Sequence, residues 1–228
     1  MQSRDEIDLS PAEVCCFVPV KARSTRVPSK NVRKVGGRTL YERCFETLLE
    51  AGFRDIRVDT DLEEVASAAA KLGISVIQRD PVLATDSANG NDLLMAHCAL
   101  TEARIVVQAF VTAPFLKAET ARRVVAAVQS SSEFDSAFTV AERGGWFWFD
   151  ERPVNYDPAE LPRSQDARRV LEETTAIYAI RREVAVRERC RIGRAPQFVV
   201  VDDVEAVDLD TEEDFVFASF LIDSGVVS

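Results

Sequence analysis

Residues 14–31 read Val14-Cys15-Cys16-Phe17-Val18-Pro19-Val20-Lys21-Ala22-Arg23-Ser24-Thr25-Arg26-Val27-Pro28-Ser29-Lys30-Asn31. The apolar run 14–20 predicts a strand buried on both faces. The loop 21–31 then gathers Lys21, Arg23, Arg26 and Lys30 among Ser and Thr hydroxyls. A helical pattern starts at about Thr39. Strand, basic loop and helix in that order make a phosphate site. Arg supplies a fixed fork for phosphate oxygens and Lys a mobile point charge. There is no GxxxxGK[ST], so the loop is not a P-loop, and no GxGxxG, which argues against a dinucleotide oxidoreductase. The plain alternative is a solvated cationic loop. Against it stands the formal net charge of −10 for the whole chain. An acidic chain that concentrates cations at one strand end suits a small polyanion and not nucleic acid.

Outward from this point, short β-rich runs alternate with helical patterns. Residues 55–59, 74–77, 104–110, 135–141, 175–181 and 197–201 read as further strands. Residues 39–52, 61–73, 89–102 and 117–131 read as helices, with a last helix from about Thr211. Gly52 and Gly73 stand where helix C-caps are expected. This rhythm predicts an α/β fold, a mostly parallel sheet with helices on both faces. Ligands of such sheets bind at the carboxyl ends of strands, which is where the basic loop lies. Residues 142–172 break the rhythm with Gly144-Gly145, the aromatic run Trp146-Phe147-Trp148-Phe149 and several prolines. They read as an arm. The aromatic run reads either as a patch closing over the core or a subunit partner, or as a surface that stacks on substrate. Residues 1–13 read as a flexible N-terminus and 14–224 as one domain.

The 228 residues, 46% of them hydrophobic, suffice for one substantial core. No apolar run reaches the roughly 18 residues of a membrane span, and no membrane partner is expected. The polar, acidic start resembles neither a signal nor a transit peptide. Five cysteines show no CxxC or zinc spacing. Three of them sit in apolar segments and read as buried thiols, with a cytoplasmic address as the default. The single histidine, His97, excludes a two-histidine zinc site. It lies in a helical pattern and reads as a core or boundary residue, with a general base as the alternative. A metal, if used, takes oxygen ligands, which suits Mg²⁺. Asp208 and Asp210 are the candidates. On a strand, alternate carboxylates share a face with Cα atoms about 6–7 Å apart and can share metal ions that grip phosphates. Helix capping at Asp210 or Thr211 is the competing account. Asp59-Thr60-Asp61 also spells DxD, but it leads a helix, where capping is the simpler explanation.

Several short motifs, in order, resemble one family. They are Ala22-Arg23; Pro28-x-Lys30-Asn31; Gly36-Gly37-Arg38-x-Leu40; Arg79-Asp80-Pro81-Val82-Leu83-Ala84-Thr85-Asp86; Gln108-Ala109-Phe110-Val111-Thr112-Ala113-Pro114; Arg163-Ser164-Gln165-Asp166; Glu173-Thr174-Thr175-Ala176-Ile177-Tyr178; and Val207-Asp208-Leu209-Asp210-Thr211. Together, over roughly residues 14–222, they are similar to the cytidylyltransferases that activate acidic sugars, the CMP-sialic acid and 3-deoxy-manno-octulosonate cytidylyltransferases. The resemblance implies a Rossmann-like (GT-A-like) fold with a protruding dimerisation arm, and a homodimer. It implies transfer of CMP from CTP to an acidic acceptor, with release of pyrophosphate. Ala22, Arg23, Arg26, Lys30, Asn31, Arg79, Asp86 and Ala88 would bind CTP, Arg23 and Lys30 also acting in catalysis. Gln108, Arg163, Gln165 and Tyr178 would line the acceptor side. Asp208 and Asp210 would bind Mg²⁺ and take part in catalysis.

The chain also departs from the pattern. Its basic loop is two residues shorter than in many members, and Arg26 stands in for a lysine near the leaving pyrophosphate. Gly90 stands where serine often holds the nucleotide, and Thr175 where glycine is common beside the acceptor. A nonulosonic acid leads as acceptor, then an eight-carbon ulosonic acid, then a phosphonate of secondary metabolism. Two readings compete with the transferase: a sugar-nucleotide-using glycosyltransferase, which would place its DxD in mid-chain, and a nucleotide-binding protein without turnover.

Overall fold

A computed structural model describes residues 7–227 except Thr25 and Asp86. Asp86, assigned above to the nucleotide, therefore lies outside the described residues, as do 1–6 of the N-terminal segment.

Eleven strands are present among the described residues: β1 Val14–Val20, β2 Lys34–Val35, β3 Arg38–Thr39, β4 Ile56–Thr60, β5 Ser75–Gln78, β6 Ile105–Ala109, β7 Ser136–Arg143, β8 Trp148–Phe149, β9 Arg152–Pro153, β10 Val170–Arg181 and β11 Pro196–Val201. Six α-helices join them: α1 Leu40–Ala51, α2 Glu63–Lys71, α3 Gly90–Cys98, α4 Ala118–Gln129, α5 Arg182–Glu188 and α6 Glu212–Asp223. Seven strands form one sheet in the order β11-β7-β10-β6-β1-β4-β5. Only β10 runs antiparallel to its neighbours; the other pairings are parallel.

The sheet is mixed and mostly parallel, as the alternation predicts, and β1 shows why. All seven of its residues are buried. Cys16, Val18 and Val20 enter the larger core, which also takes in apolar residues of α1, α2, α4 and α6. Cys15 and Phe17 point to the other face, into a smaller core with Leu94 and Cys98 of α3 and Val184 and Ala185 of α5. A strand covered on both faces has no polar side to alternate with, hence the unbroken apolar run.

Local chemistry fixes the helix ends. Thr39 opens α1 with a reciprocal capping box to Glu42, and Gly52 closes it at φ 90°, a conformation that costs glycine little. Thr211 caps α6 and forms the same box with Asp214. That excludes the capping account of Asp210. The pair Asp208 and Asp210 is not on a strand, contrary to expectation. It lies in the connection between β11 and α6, where Leu209 N–H donates to Thr112 O at 2.9 Å and the Leu209 side chain is fully buried.

Two boundaries differ from the sequence pattern. Strand β10 begins at Val170, and Val170–Glu173 pair with Val140–Arg143, so the end of the 142–172 segment belongs to the sheet. The remainder carries the β8–β9 hairpin, with Phe149 76% exposed and Trp146 and Trp148 about half exposed. Residues 7–13 pack onto the domain, Leu9 entering the larger core. Helix α5 has no strong sequence signature, being short and rich in charge. Four cysteines are buried, Cys190 is half-buried and all five are free. Burial pushes the Cys15 and Cys44 thiols up to about 12, so they are inert packing groups. No helix among the described residues is long and apolar enough to cross a membrane.

Candidate active site

A cleft of about 260 Å³ opens at the carboxyl ends of β1, β5 and β6. Its walls bring together Arg23, Arg26, Lys30, Asn31, Arg79 and Ala88 from the expected nucleotide set, with Lys21, Gly90, Phe110, Thr112 and Arg191. Residues distant in sequence converge because parallel strands present their carboxyl ends on one edge.

Two contacts hold the basic loop. Ala22 N–H donates to Asp61 Oδ1 at 2.7 Å, and buried Asn31 donates from Nδ2 to Lys21 O at 2.8 Å. Asp61 therefore anchors the loop and does not cap α2, whose N-cap is Leu62 and has no side-chain cap. Ala22 is fixed behind the loop and is not among the lining residues. Lys30 Nζ reaches Asp210 Oδ1 at 2.7 Å, and Arg26 Nη1 reaches Asp210 Oδ2 at 2.6 Å. Burial opposes ionisation of Asp210, but Lys30 and Arg26 outweigh it and hold its carboxyl below the usual range.

Beneath the cleft runs a buried polar chain. Arg79, 4% exposed, donates from Nε to Asp59 Oδ1 at 3.0 Å and from Nη2 to Asp59 O at 3.1 Å. Neither acid of the early DxD is a cap: Asp61 holds the basic loop, Asp59 is the counter-ion of Arg79, and the Thr60 hydroxyl between them accepts from Leu62 N–H at 3.1 Å. His97 Nε2–H donates to Asp59 Oδ2 at 3.0 Å. Gln108 Nε2 donates to His97 Nδ1 at 3.3 Å, and Phe17 stacks on the imidazole at 4.3 Å. Burial works against an ionised Asp59, yet His97 and Arg79 hold its carboxyl below the usual carboxylate range.

His97 is a buried structural residue, as its helical context suggested. Burial holds its imidazole below the ordinary value, against the pull of Asp59, with Arg79 the other charge beside it. The unfolded chain titrates near 6.5. As pH falls below about 6.5, the unfolded state takes up the proton first, so the folded state loses stability until the depressed folded value is passed. Melting temperature should therefore fall between pH 7 and 5, and His97→Gln should remove part of that slope. Melting curves of both proteins across this range check it; identical slopes would contradict it.

The acceptor-side set does not assemble in the same way. Gln108 is buried in the polar chain, its Oε1 without a partner among the described residues. Tyr178 is buried between Phe110 and Phe138 and donates its hydroxyl to Glu173. Arg163 and Gln165 are exposed on the arm, with Arg163 paired to Asp166 at 2.6 Å. None of the four lines the cleft. Arg191 does, unforeseen from sequence. Its guanidinium lies 3.9 Å over the Tyr178 ring and donates from Nη2 to Glu173 at 2.8 Å. Nη1 lies so close to Gly90 that a Cβ there would sit 2.8 Å from it. One arginine among many in 181–194 gives no sequence signal, and only the approach of α3 to this loop singles it out.

Asp208 sits beside the cleft. Its Oδ2 accepts from Thr175 Oγ1 at 2.6 Å, and its Oδ1 is buried without a hydrogen-bond partner among the described residues. Burial raises its carboxyl above the ordinary value, with Asp210 adding to the rise and the Thr112 and Thr175 hydroxyls opposing it.

A sequence model of the cytidylyltransferase family matches residues 15–216. The chain belongs to the cytidylyltransferase family. N-acylneuraminate cytidylyltransferase A of Danio rerio is 23% identical over 212 residues, 89% of this chain and 49% of the relative. The N-acylneuraminate cytidylyltransferase of a Streptococcus agalactiae strain is 24% identical over 88% of this chain and 51% of its own length. This cytidylyltransferase chain thus spans about half the length of these curated relatives. A 3-deoxy-manno-octulosonate cytidylyltransferase of Rickettsia massiliae is 37% identical over 73 residues, 32% of this chain and 30% of the relative. Among solved structures, a CMP:2-keto-3-deoxy-manno-octonic acid synthetase complexed with CTP superposes with a TM-score of 0.68 at 19% identity, covering 93% of this chain and 99% of that one. The 4-diphosphocytidyl-2C-methyl-D-erythritol synthase of Anaerococcus prevotii gives 0.68 at 12% identity over 94% and 100%. At these identities the structural likeness establishes that this cytidylyltransferase shares their fold.

Proposed function

We propose that this chain transfers CMP from CTP to a small acidic acceptor and releases pyrophosphate. The observation that carries the reading is the cleft itself: a pinned basic loop faces a buried, ion-paired arginine, with a bare carboxylate oxygen at its side. Arg23, Lys30 and Asn31 take the triphosphate, with Arg26 near the departing pyrophosphate. Arg79 and the backbone at Ala88 read the cytosine. The acceptor oxygen attacks the α-phosphorus in line; the bond to the β-phosphate oxygen breaks and pyrophosphate leaves. The protein's part is positioning and charge stabilisation.

The residues present fit a divalent cation. A buried, unpartnered carboxylate oxygen on Asp208 is a poor place to leave empty and a good oxygen ligand. Among the described residues no group of three or more His, Cys, Asp or Glu could hold a metal by itself. Asp208 and Asp210 would supply two ligands for Mg²⁺, with phosphate oxygens and water completing the set, as Mg²⁺ prefers. Bound there, Mg²⁺ supplies neutralisation of phosphate charge and a lowered acceptor hydroxyl pKa.

On the acceptor side, Arg191 is the cation on the wall formed with Gly90 and Phe110, stacked and ion-paired in a fixed pose. It is suited to a carboxylate. A nonulosonic or ulosonic sugar acid is the leading acceptor, and a phosphonate, which a guanidinium also grips, is the second reading. The exposed aromatics of the arm support a homodimer in which the arm, with Arg163 and Gln165, reaches the neighbour's site.

Pyrophosphate release from each of the four NTPs, with Mg²⁺ and a panel of sialic-type acids, ulosonic acids and phosphonates, tests the reading. Release is expected with CTP only. Arg191→Ala should then raise the acceptor KM about tenfold or more and leave the CTP KM nearly unchanged, the loss expected for a charge-assisted bond. Release without regard to nucleotide, or none, would contradict the transferase.

A further inference from the structure

Thr175 holds a backbone conformation that its side chain disfavours. Its φ is 53°, in the left-handed region where a β-branched residue is an outlier. It sits where the pairing of β10 with β7 breaks register, between Glu173 and Tyr178. Glycine takes the left-handed position at least cost, because no Cβ then meets the following carbonyl. The described contact that a glycine could not make is the 2.6 Å bond from Thr175 Oγ1 to Asp208 Oδ2. On the same carboxylate, Oδ1 is buried and has no hydrogen-bond partner among the described residues. A strained residue and an unsatisfied oxygen thus meet on one side chain at the edge of the cleft. Strain persists at a site when something else depends on it, and a buried bare oxygen is costly until it is filled.

We propose that Thr175 is a positioning residue, a strained clamp that fixes the Asp208 carboxylate so that Oδ1 is presented to a divalent cation. The inference rests on the metal role given to Asp208 above and deepens it. If Thr175 merely satisfied a buried carboxylate, its loss would cost stability and leave metal binding alone. If it is the clamp, strain and metal affinity separate on substitution. Glycine removes both strain and hydroxyl; alanine removes the hydroxyl but keeps the Cβ; serine keeps the hydroxyl.

The test uses Thr175→Gly, Thr175→Ala and Thr175→Ser. Metal-free melting temperatures are measured, and Mn²⁺ is titrated into CTP-saturated protein by electron spin resonance. The Gly variant should melt roughly 2–4 °C above the Ala variant, the shift expected for relief of one left-handed residue in a domain of this size. Mn²⁺ affinity should fall about 10-fold or more in the Gly and Ala variants, as for other residues that orient metal ligands, and Ser should restore it to within about threefold. Equal melting of Gly and Ala variants would overturn the strain. Unchanged Mn²⁺ affinity in all variants, or no Mn²⁺ binding by the wild type, would overturn the clamp. A rise in melting temperature with CTP alone, without Mn²⁺, reports on the nucleotide site separately.

Discussion

Asp59→Ala should destabilise the fold by about 3–5 kcal/mol, the usual consequence of stripping the partner from a buried charge. The reason lies in what remains. Arg79 and Asp59 are both almost fully buried, joined at 3.0 Å. Without the carboxylate, the guanidinium keeps one bond, to the residue 59 carbonyl, and the Nε2–H of His97 loses its acceptor. In a domain of this size, that is a drop in melting temperature of roughly 6–20 °C. Asp59→Asn keeps an acceptor but not the charge and should fall between the two. Arg79 would also lose its fixed pose, so CTP should no longer stabilise the Ala variant. Scanning calorimetry with and without CTP measures both effects. A melting temperature within about 2 °C of wild type would show that the pair is not the floor of the site.

Asp208→Asn should do the opposite, sparing the fold and cutting turnover by orders of magnitude. The amide is isosteric and its oxygen can still accept from Thr175, so the Asp208–Thr175 contact and the packing of Leu209 survive. What disappears is the negative charge at the bare oxygen, and with it the ligand proposed for Mg²⁺. Loss of one such electrostatic element costs about 10²–10³-fold in turnover. CTP binding should stay within about threefold, because the phosphate cations and Arg79 are untouched. Steady-state pyrophosphate release and calorimetric titration with CTP separate the two quantities. Near-normal turnover would remove Asp208 from catalysis.

The fold was legible because burial writes itself into residue type. The two-sided burial of β1 gives the run at 14–20, and the capping pairs of Thr39 with Glu42 and Thr211 with Asp214 mark helix starts. The basic loop was legible for a similar reason: four cations in an acidic chain need a purpose. What stayed hidden depends on pairing between distant segments. Asp59 looked like a capping residue until the parallel register of β4 with β5 set it against Arg79. Gln108 reads as a pocket residue in its motif, yet the imidazole of His97 draws its amide into the buried chain. Arg191 becomes distinctive only where α3 and Tyr178 frame it. The strain at Thr175 belongs to the register break between β10 and β7, which leaves no mark in composition.

The most direct measurement is product analysis. The protein would be incubated with CTP, Mg²⁺ and each candidate acid, and the mixture read by mass spectrometry for a CMP–acceptor ester beside a pyrophosphate assay. Cytidylyl transfer predicts one CMP-linked acid, formed from CTP and from no other nucleotide, one for one with pyrophosphate, and about 10²–10³-fold more slowly in Asp208→Asn. Pyrophosphate without a CMP-linked product, or a product formed equally from all four nucleotides, would contradict it.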